Sequence, residues 1–504
     1  MIDGIISNVI ENIVREFRHM DSREVPRCVF HQLLARISEE TGIKLPFVVD
    51  CSGVKVSSSV KEYLGKLASQ VIRNPDVIDD VYNALIPRRL RREHGQFLTP
   101  PRIAEFMVRW GLSGGGNRRV LDLGVGTGVF LSKAFSLLKG VGDFHLVGID
   151  VDPLLLNACF IRLKLLGVPD ERLQLINADF ITWESRDKYD FVVSNPPYIK
   201  FHGFDRSMVS KVAHEFNIQI TKLTNVYTLF FIRAAKFVRE GGRVAFITPS
   251  EFLYTGYGEV LKRFLLENYR IVAFILVGLE EMVFEDVMTT GLITLLERGK
   301  PESDHRVKFG RLGDRELPKS LDDLEGIMEV PQNQLDPRRK WLTYFLKGSV
   351  DSDVLGKLVP LSAIASVDRG IATGYNEFFT LSEDTARRFS IPKQYLKPVI
   401  SKASHCPYYD FTSEDWEELR RRGERVYLLY ILSDNPPESL KPYLYYGVKL
   451  GVHRRYIPSH RRRWYMVDKR EPSPILALVF SRERLRFVYN KAGVLNLTPF
   501  HCVY

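Results

Sequence analysis

The chain has 504 residues, more than one hydrophobic core usually organises, so two or three domains are expected. Lys and Arg number 71 against 61 Asp and Glu, a formal charge of +10 that suits a polyanionic partner, and 45% apolar residues suffice for packed cores. The longest apolar run, Ile271 to Leu279, is far below the about 20 residues of a membrane span and reads as a buried strand, so no membrane partner is expected.

The N-terminus, MIDGIISNVIENIVREF, carries acids from the start and reads as an amphipathic helix, not as an export signal. Residues 1–90 keep helical periodicity and form a small helical N-terminal region ending in the basic run Arg88, Arg89, Arg91 and Arg92. From 91 to 300, short β-branched runs (RRVLDLG, FHLVGID, LQLINAD, YDFVVSN, GRVAFITP, YRIVAFILV) alternate with helical segments, the rhythm of a mostly parallel α/β sheet. Ligands in such sheets sit at the carboxyl ends of the strands. Residues 301–345 turn polar and acidic and are expected to be a connector with some strand content, while 346–504 lack the strand–helix rhythm and are rich in aromatics and arginine. The five cysteines, Cys28, Cys51, Cys159, Cys406 and Cys502, show no C-x-x-C pair and no clustered spacing. Neither a disulfide framework nor a metal site is therefore expected, and a reducing cytoplasm fits best.

The strand VLDLG runs into a turn written D-x-G-x-G-x-G, with Asp122, Gly124, Gly126 and Gly128. Glycines there let the backbone approach a ligand closely, and the following helix offers its N-terminal amides. A dinucleotide fingerprint needs G-x-G-x-x-G; Val129 stands where the third glycine belongs, which argues against a nicotinamide cofactor. Asp150 closes the second strand, where a carboxylate can accept from ribose hydroxyls. Asp179 and Phe180 close the third, an acceptor for an amino group beside a ring that can cover a base. YDFVVSNPPY then places Asn195, Pro196, Pro197 and Tyr198 at the end of the fourth strand. The prolines fix the backbone so that carbonyls point outward instead of pairing in the sheet. The Asn195 side-chain oxygen and the Pro196 carbonyl become acceptors in a rigid frame beside the Tyr198 ring. An aromatic amine is a poor nucleophile because its lone pair is delocalised. Two acceptors on its hydrogens concentrate density on nitrogen and align it with a donor, with no covalent enzyme intermediate required.

Together with GQFLTPPRIAEFMV from Gly95, GGRVAFITPSEFL (Gly241 to Leu253) and VFEDVMTTGLITLLE (Val283 to Glu297), these motifs resemble the γ-class N6-adenine DNA methyltransferases of NPPY type. The resemblance is strongest to the single-chain enzymes of type II restriction–modification systems. It implies an α/β, Rossmann-like class I S-adenosylmethionine-dependent methyltransferase fold as catalytic domain over 91–300, and an α+β target-recognition domain over 346–504. It also implies S-adenosyl-L-methionine as the cofactor. Thr99 would hold the methionine carboxylate and Phe97 would line the same pocket; Asp122 and Gly124 would flank the methionine part, Asp150 would bind the ribose, and Asp179 and Phe180 the adenine. A target adenine, extruded from double-stranded DNA, would stack between Tyr198 and Phe284.

RGIATGYNEFF (Arg369 to Phe379), RRRWY (Arg461 to Tyr465) and the terminal RFVYNKAGVLNLTPFHCVY interleave basic and aromatic residues and resemble the recognition domains of that family. Arg369, Arg454, Arg455, Arg461, Arg462 and Arg463 are the expected DNA contacts, suited to phosphates or guanines. Any restriction endonuclease is expected on a separate chain, because the lead-in is too short for a nuclease domain and shows no paired-acid plus lysine site. Two other readings stay open. One is an NPPY-type methyltransferase acting on RNA or on a protein glutamine, although such enzymes resemble smaller chains without a GQFLTP segment or a long basic module. The other is a non-catalytic DNA-binding subunit, against which an intact Asn195 and Tyr198 count.

Overall fold

A computed structural model describes residues 11, 14, 24–93, 95–114, 116, 118–198, 206–216, 218, 225–277, 291–313, 317–345, 358–480 and 485–504. Phe284, expected to stack on a target base, lies outside the described residues. The chain divides into two compact units, Met1–Asp353 and Val354–Tyr504.

In the first unit, apolar stripes at helical spacing make α1 (Glu24–Thr41), α2 (Ser58–Arg73) and α3 (Ile78–Leu85). Ser57 opens α2 by accepting the Val60 amide at 3.2 Å, which satisfies one of the helix's orphan donors. Next come α4 (Pro101–Leu112), β1 (Arg119–Leu123), α5 (Val129–Leu138), β2 (His145–Asp150), α6 (Pro153–Leu165), β3 (Leu173–Asn177) and β4 (Tyr189–Ser194). They are followed by α7 (Val226–Ala234), β5 (Val238–Pro249), α8 (Gly258–Asn268), β6 (Tyr269–Val277), β7 (Gly291–Arg298), β8 (Arg306–Leu312) and β9 (Glu325–Pro331).

All nine strands form one sheet in the order β3-β2-β1-β4-β5-β7-β6-β8-β9. β3, β2, β1, β4 and β5 run parallel; β7 is antiparallel to both β5 and β6. The residues assigned to a connector supply β8, parallel to β6, and β9, antiparallel to β8, because Val307, Phe309 and Val330 bury apolar side chains within an otherwise polar stretch. The order reverses between β1 and β4, so a crevice opens at the carboxyl ends of these two neighbours. The glycine turn leaves β1 there and Asn195 follows β4 there.

The helical lead-in is not a separate unit. Its core residues, among them Phe30, Leu33, Leu64 and Tyr82, share one apolar cluster with Leu154, Leu155, Ala158 and Ile161 of α6. Beside that cluster Arg162 is 0% exposed and donates to Asp79 at 2.9 Å and to Asp76 at 2.6 Å. Cys28 on α1 is bonded to Cys51, with Cα atoms 5.4 Å apart, which corrects the expectation of no disulfide. The spacing of the two cysteines carries no signal. Their pairing follows from the loop after α1 returning alongside it, where Gln32 Nε2 donates to the Val54 carbonyl at 3.2 Å.

The second unit holds two small sheets. One places Val367–Arg369, Phe500–Val503, Ile475–Leu478, Phe487–Asn490 and Asp410–Phe411 side by side; the other joins Thr380–Leu381, Tyr427–Leu429, Leu396–Ile400 and Leu495–Asn496. Phe378 stacks on Tyr443 with ring centroids 4.7 Å apart, in a core that also takes Phe379, Leu428 and Leu429.

Removing Arg162 would leave Asp79 buried and uncompensated. Arg162→Met is expected to lower stability by about 3–5 kcal/mol in urea denaturation; a loss under about 1 kcal/mol would mean that the pair carries no such burden.

Candidate functional site

One cavity of about 950 Å³ opens in the crevice of the first unit. Phe97, Thr99, Gly124, Gly126, Asp150, Asp179, Phe180, Asn195 and Pro197 line it, so the sequence motifs converge on one space. Glu24, Arg27, Gln96, Val125, Thr127 and Phe230 line it too. None of these stands out in the sequence, although Gln96 lies inside the GQFLTP segment.

The turn after β1 takes the positive φ that glycine tolerates: +82° at Gly124, +54° at Gly126 and +86° at Gly128. A Cβ on Gly124 would come within 4.0 Å of the Asn195 carbonyl oxygen, and one on Gly128 within 2.6 Å of the Cys159 sulfur. The first is ordinary contact, so at Gly124 it is the positive φ that calls for glycine; the second spacing lets α5 pack on α6. The Ser194 hydroxyl donates to the Leu123 carbonyl and fastens the two strand ends together.

Asp150 projects from the end of β2. One oxygen accepts from the Gly126 amide and the other from the Asp152 amide, both at 2.9 Å. Each carboxylate oxygen keeps a lone pair for a further donor such as a ribose hydroxyl. Asp179 accepts from the Ile181 amide at 2.8 Å, and Phe180 packs against Phe230 with centroids 5.0 Å apart. A glycine cradle, an acceptor carboxylate on each side and an aromatic wall fit a nucleoside cofactor. Asp122 is 0% exposed behind the turn and does not line the cavity; burial, reinforced by the Asp150 charge, pushes its carboxyl well above the usual range.

Asn195 is fixed by its own amide. Nδ2 donates to the Phe97 carbonyl at 2.8 Å and to the Thr99 hydroxyl at 3.0 Å, which turns Oδ1 into the available acceptor. The Tyr198 hydroxyl donates to that oxygen at 2.5 Å and to the Ile247 carbonyl at 3.2 Å. Its ring stacks on Phe97, with centroids 5.4 Å apart and planes 21° from parallel. The tyrosine thus sits on the acceptor that an amine would use.

In the second unit the expected DNA contacts separate into two groups. Arg369, Arg454 and Arg455 are exposed, and Arg455 lies over the Tyr375 ring at 3.6 Å. Arg462 and Arg463 are exposed as well and pair with Asp434, while Arg461 turns inward, donating to the Ala372 carbonyl and lying over Phe379.

Two family models match the chain. The Eco57I restriction-modification methylase covers residues 160–284, and the C-terminal domain of type II methyltransferase M.Eco57I covers residues 338–504. The chain is similar to type II methyltransferase M.AccI of Acinetobacter calcoaceticus, at 31% identity over 447 residues that span 87% of this chain and 80% of that protein. It is also similar to type II methyltransferase M.XamI of Xanthomonas campestris pv. amaranthicola, at 24% identity over 418 residues, 81% of this chain and 76% of that one. Its backbone resembles the type IIL restriction-modification enzyme MmeI solved in complex with DNA, with a TM-score of 0.57 and 11% identity over 99% of this chain and 77% of MmeI.

Burial lifts the Asp150 carboxyl from its usual 3.8 to about 6, against the Asp152 and Gly126 amides that favour its charged form. Between those values the folded chain keeps a proton that the unfolded chain has released. The stabilisation from this group, full below the unfolded value, is therefore lost as pH rises through about 6. Asp150→Asn cannot ionise and is expected to flatten that decline. Melting followed by circular dichroism between about pH 4 and pH 7 should shift progressively in favour of the variant; a constant difference across the window would contradict the raised carboxyl.

Proposed function

This chain belongs to the type II DNA methyltransferases of restriction–modification systems, and from that premise we propose that it methylates N6 of an adenine flipped out of double-stranded DNA, with S-adenosylmethionine as donor. The observation that carries the reading is a single cavity shared by Asp150, the glycine turn and Asn195, with the amide of Asn195 oriented so that its oxygen accepts.

When bound, S-adenosylmethionine supplies an electrophilic methyl group. Asp150, Asp179 and Phe180 line the cavity, where Asp150 would accept from the ribose hydroxyls, Asp179 would accept from the adenine amino group and Phe180 would cover that ring. Phe97 and Thr99 act on Asn195: by holding Nδ2 they present Oδ1 to the amine of the target base. That amine displaces the Tyr198 hydroxyl, and the freed Tyr198 ring covers the base on one face. With Asn195 accepting one amine hydrogen and the Pro196 carbonyl the other, the nitrogen lone pair points along the cavity. Asn195, Pro196, Pro197 and Tyr198 are the residues assigned to this step.

The second unit reads the target sequence, with Arg369, Arg454 and Arg455 on phosphates or base edges. A restriction endonuclease of matching specificity acts as a separate chain.

Asn195→Ala is expected to reduce transfer of labelled methyl groups to duplex DNA by about 10²–10³-fold while cofactor binding persists. Mass spectrometry of the digested product should find N6-methyladenine; N4-methylcytosine would reassign the target base. Arg454→Ala and Arg455→Ala should each weaken DNA binding and lower the slope of log K against log salt by about one per lost phosphate contact. An unchanged slope in both would remove these residues from the interface.

A further inference from the structure

The helical lead-in carries no recognised motif, yet Glu24, Arg27, Ile86 and Leu90 of it line the cavity. From α1, Arg27 lines the wall and makes a two-pronged pair with Asp152, Nη1 to Oδ2 and Nη2 to Oδ1, each at 2.8 Å. Asp152 is 8% exposed and caps α6 by accepting the Leu154 amide at 3.0 Å. Gln96 Nε2 adds a third donor at 3.3 Å, and Gln96 is itself held by the Tyr82 hydroxyl of α3 at 2.6 Å. Asp79, also on α3, holds the glycine turn from behind by accepting from the hydroxyl of Thr127, which lines the cavity between Gly126 and Gly128.

Asp152 matters because its backbone amide is one of the two donors that orient the Asp150 carboxylate. Burial works against a charged Asp152, and the Arg27 bond and charge outweigh it, so this carboxyl stays below its usual range. Without the guanidinium, a buried anion next to Asp150 would have to take up a proton or swing toward water. Either response weakens the cap on the Leu154 amide, at the residue whose own backbone amide holds Asp150.

We propose that the lead-in is the outer wall of the cofactor site and that Arg27 is a positioning residue for S-adenosylmethionine, fixing Asp150 through Asp152 in the orientation that accepts the ribose hydroxyls. The assignment rests on the cavity being the S-adenosylmethionine site. Arg27 is bonded to Asp152, on the Asp150 side of the cavity, so its effect falls on cofactor affinity and leaves the alignment at Asn195 to other residues.

The test is calorimetric titration of S-adenosylmethionine into the full chain, alongside steady-state methylation of duplex DNA. Arg27→Gln is expected to raise the cofactor Kd and KM by about tenfold or more, the scale of a lost hydrogen bond to a charged group, with a much smaller fall in kcat. Arg27→Lys, which restores one charged donor, should recover most of the affinity. Tyr82→Phe removes only the bond to Gln96 and serves where Arg27→Gln does not fold; about a threefold loss of cofactor affinity is expected. A wild-type chain that binds no S-adenosylmethionine would overturn the functional reading itself. A wild-type chain that binds it while Arg27→Gln or Tyr82→Phe binds equally well would overturn the positioning role alone, as would a fall in kcat with cofactor affinity unchanged.

Discussion

The architecture depends on two strand ends being neighbours in space although far apart in sequence. β1 and β4 lie side by side at the point where the sheet order reverses, and the Ser194 hydroxyl ties one to the carbonyl of Leu123. The turn leaving β1 and the backbone leaving β4 run close together, a Gly124 Cβ standing 4.0 Å from the Asn195 carbonyl oxygen. The glycine turn on one side and Asn195 on the other line one cavity. The GQFLTP segment, Asp150 at the end of β2, and Asp179 and Phe180 after β3 line the same cavity.

The polar groups around the opening are oriented from behind. Asn195 has its donor end tied down by Phe97 and Thr99, and Asp150 has each oxygen met by a backbone amide. Such preorganisation places the cost of orientation in folding, where a large buried core can absorb it, and not in the reacting complex. Thr99 accepts from Asn195 through its hydroxyl oxygen and keeps the hydroxyl hydrogen for a further acceptor.

The parallel strands and the residues at their carboxyl ends were legible because short β-branched apolar runs and strand-end acids, glycines and prolines are local signals. Phe97, Asp150, Asp179, Phe180 and Asn195 consequently meet where the motifs imply. What depends on long-range packing was not legible. The Arg27–Asp152 pair joins residues with no shared motif, the Cys28–Cys51 bond depends on the path of a loop, and the place of β8 and β9 in the main sheet rests on a few apolar side chains, Val307, Phe309 and Val330, in polar text. The arginines of RRRWY illustrate the same limit. Composition marks them as basic and cannot tell Arg461, turned onto a carbonyl and an aromatic ring, from Arg454, which faces outward.

The position of β7 bears on how the chain emerges during synthesis. β7 separates β5 from β6, although β6 precedes it in sequence. A nascent chain that has released β5 and β6 therefore holds two apolar strands with no partner between them, and the ladder edge of β5 stays open until Gly291–Arg298 has left the ribosome. Over that interval the growing polypeptide exposes its most adhesive surface, and slow translation through the intervening stretch would prolong the exposure.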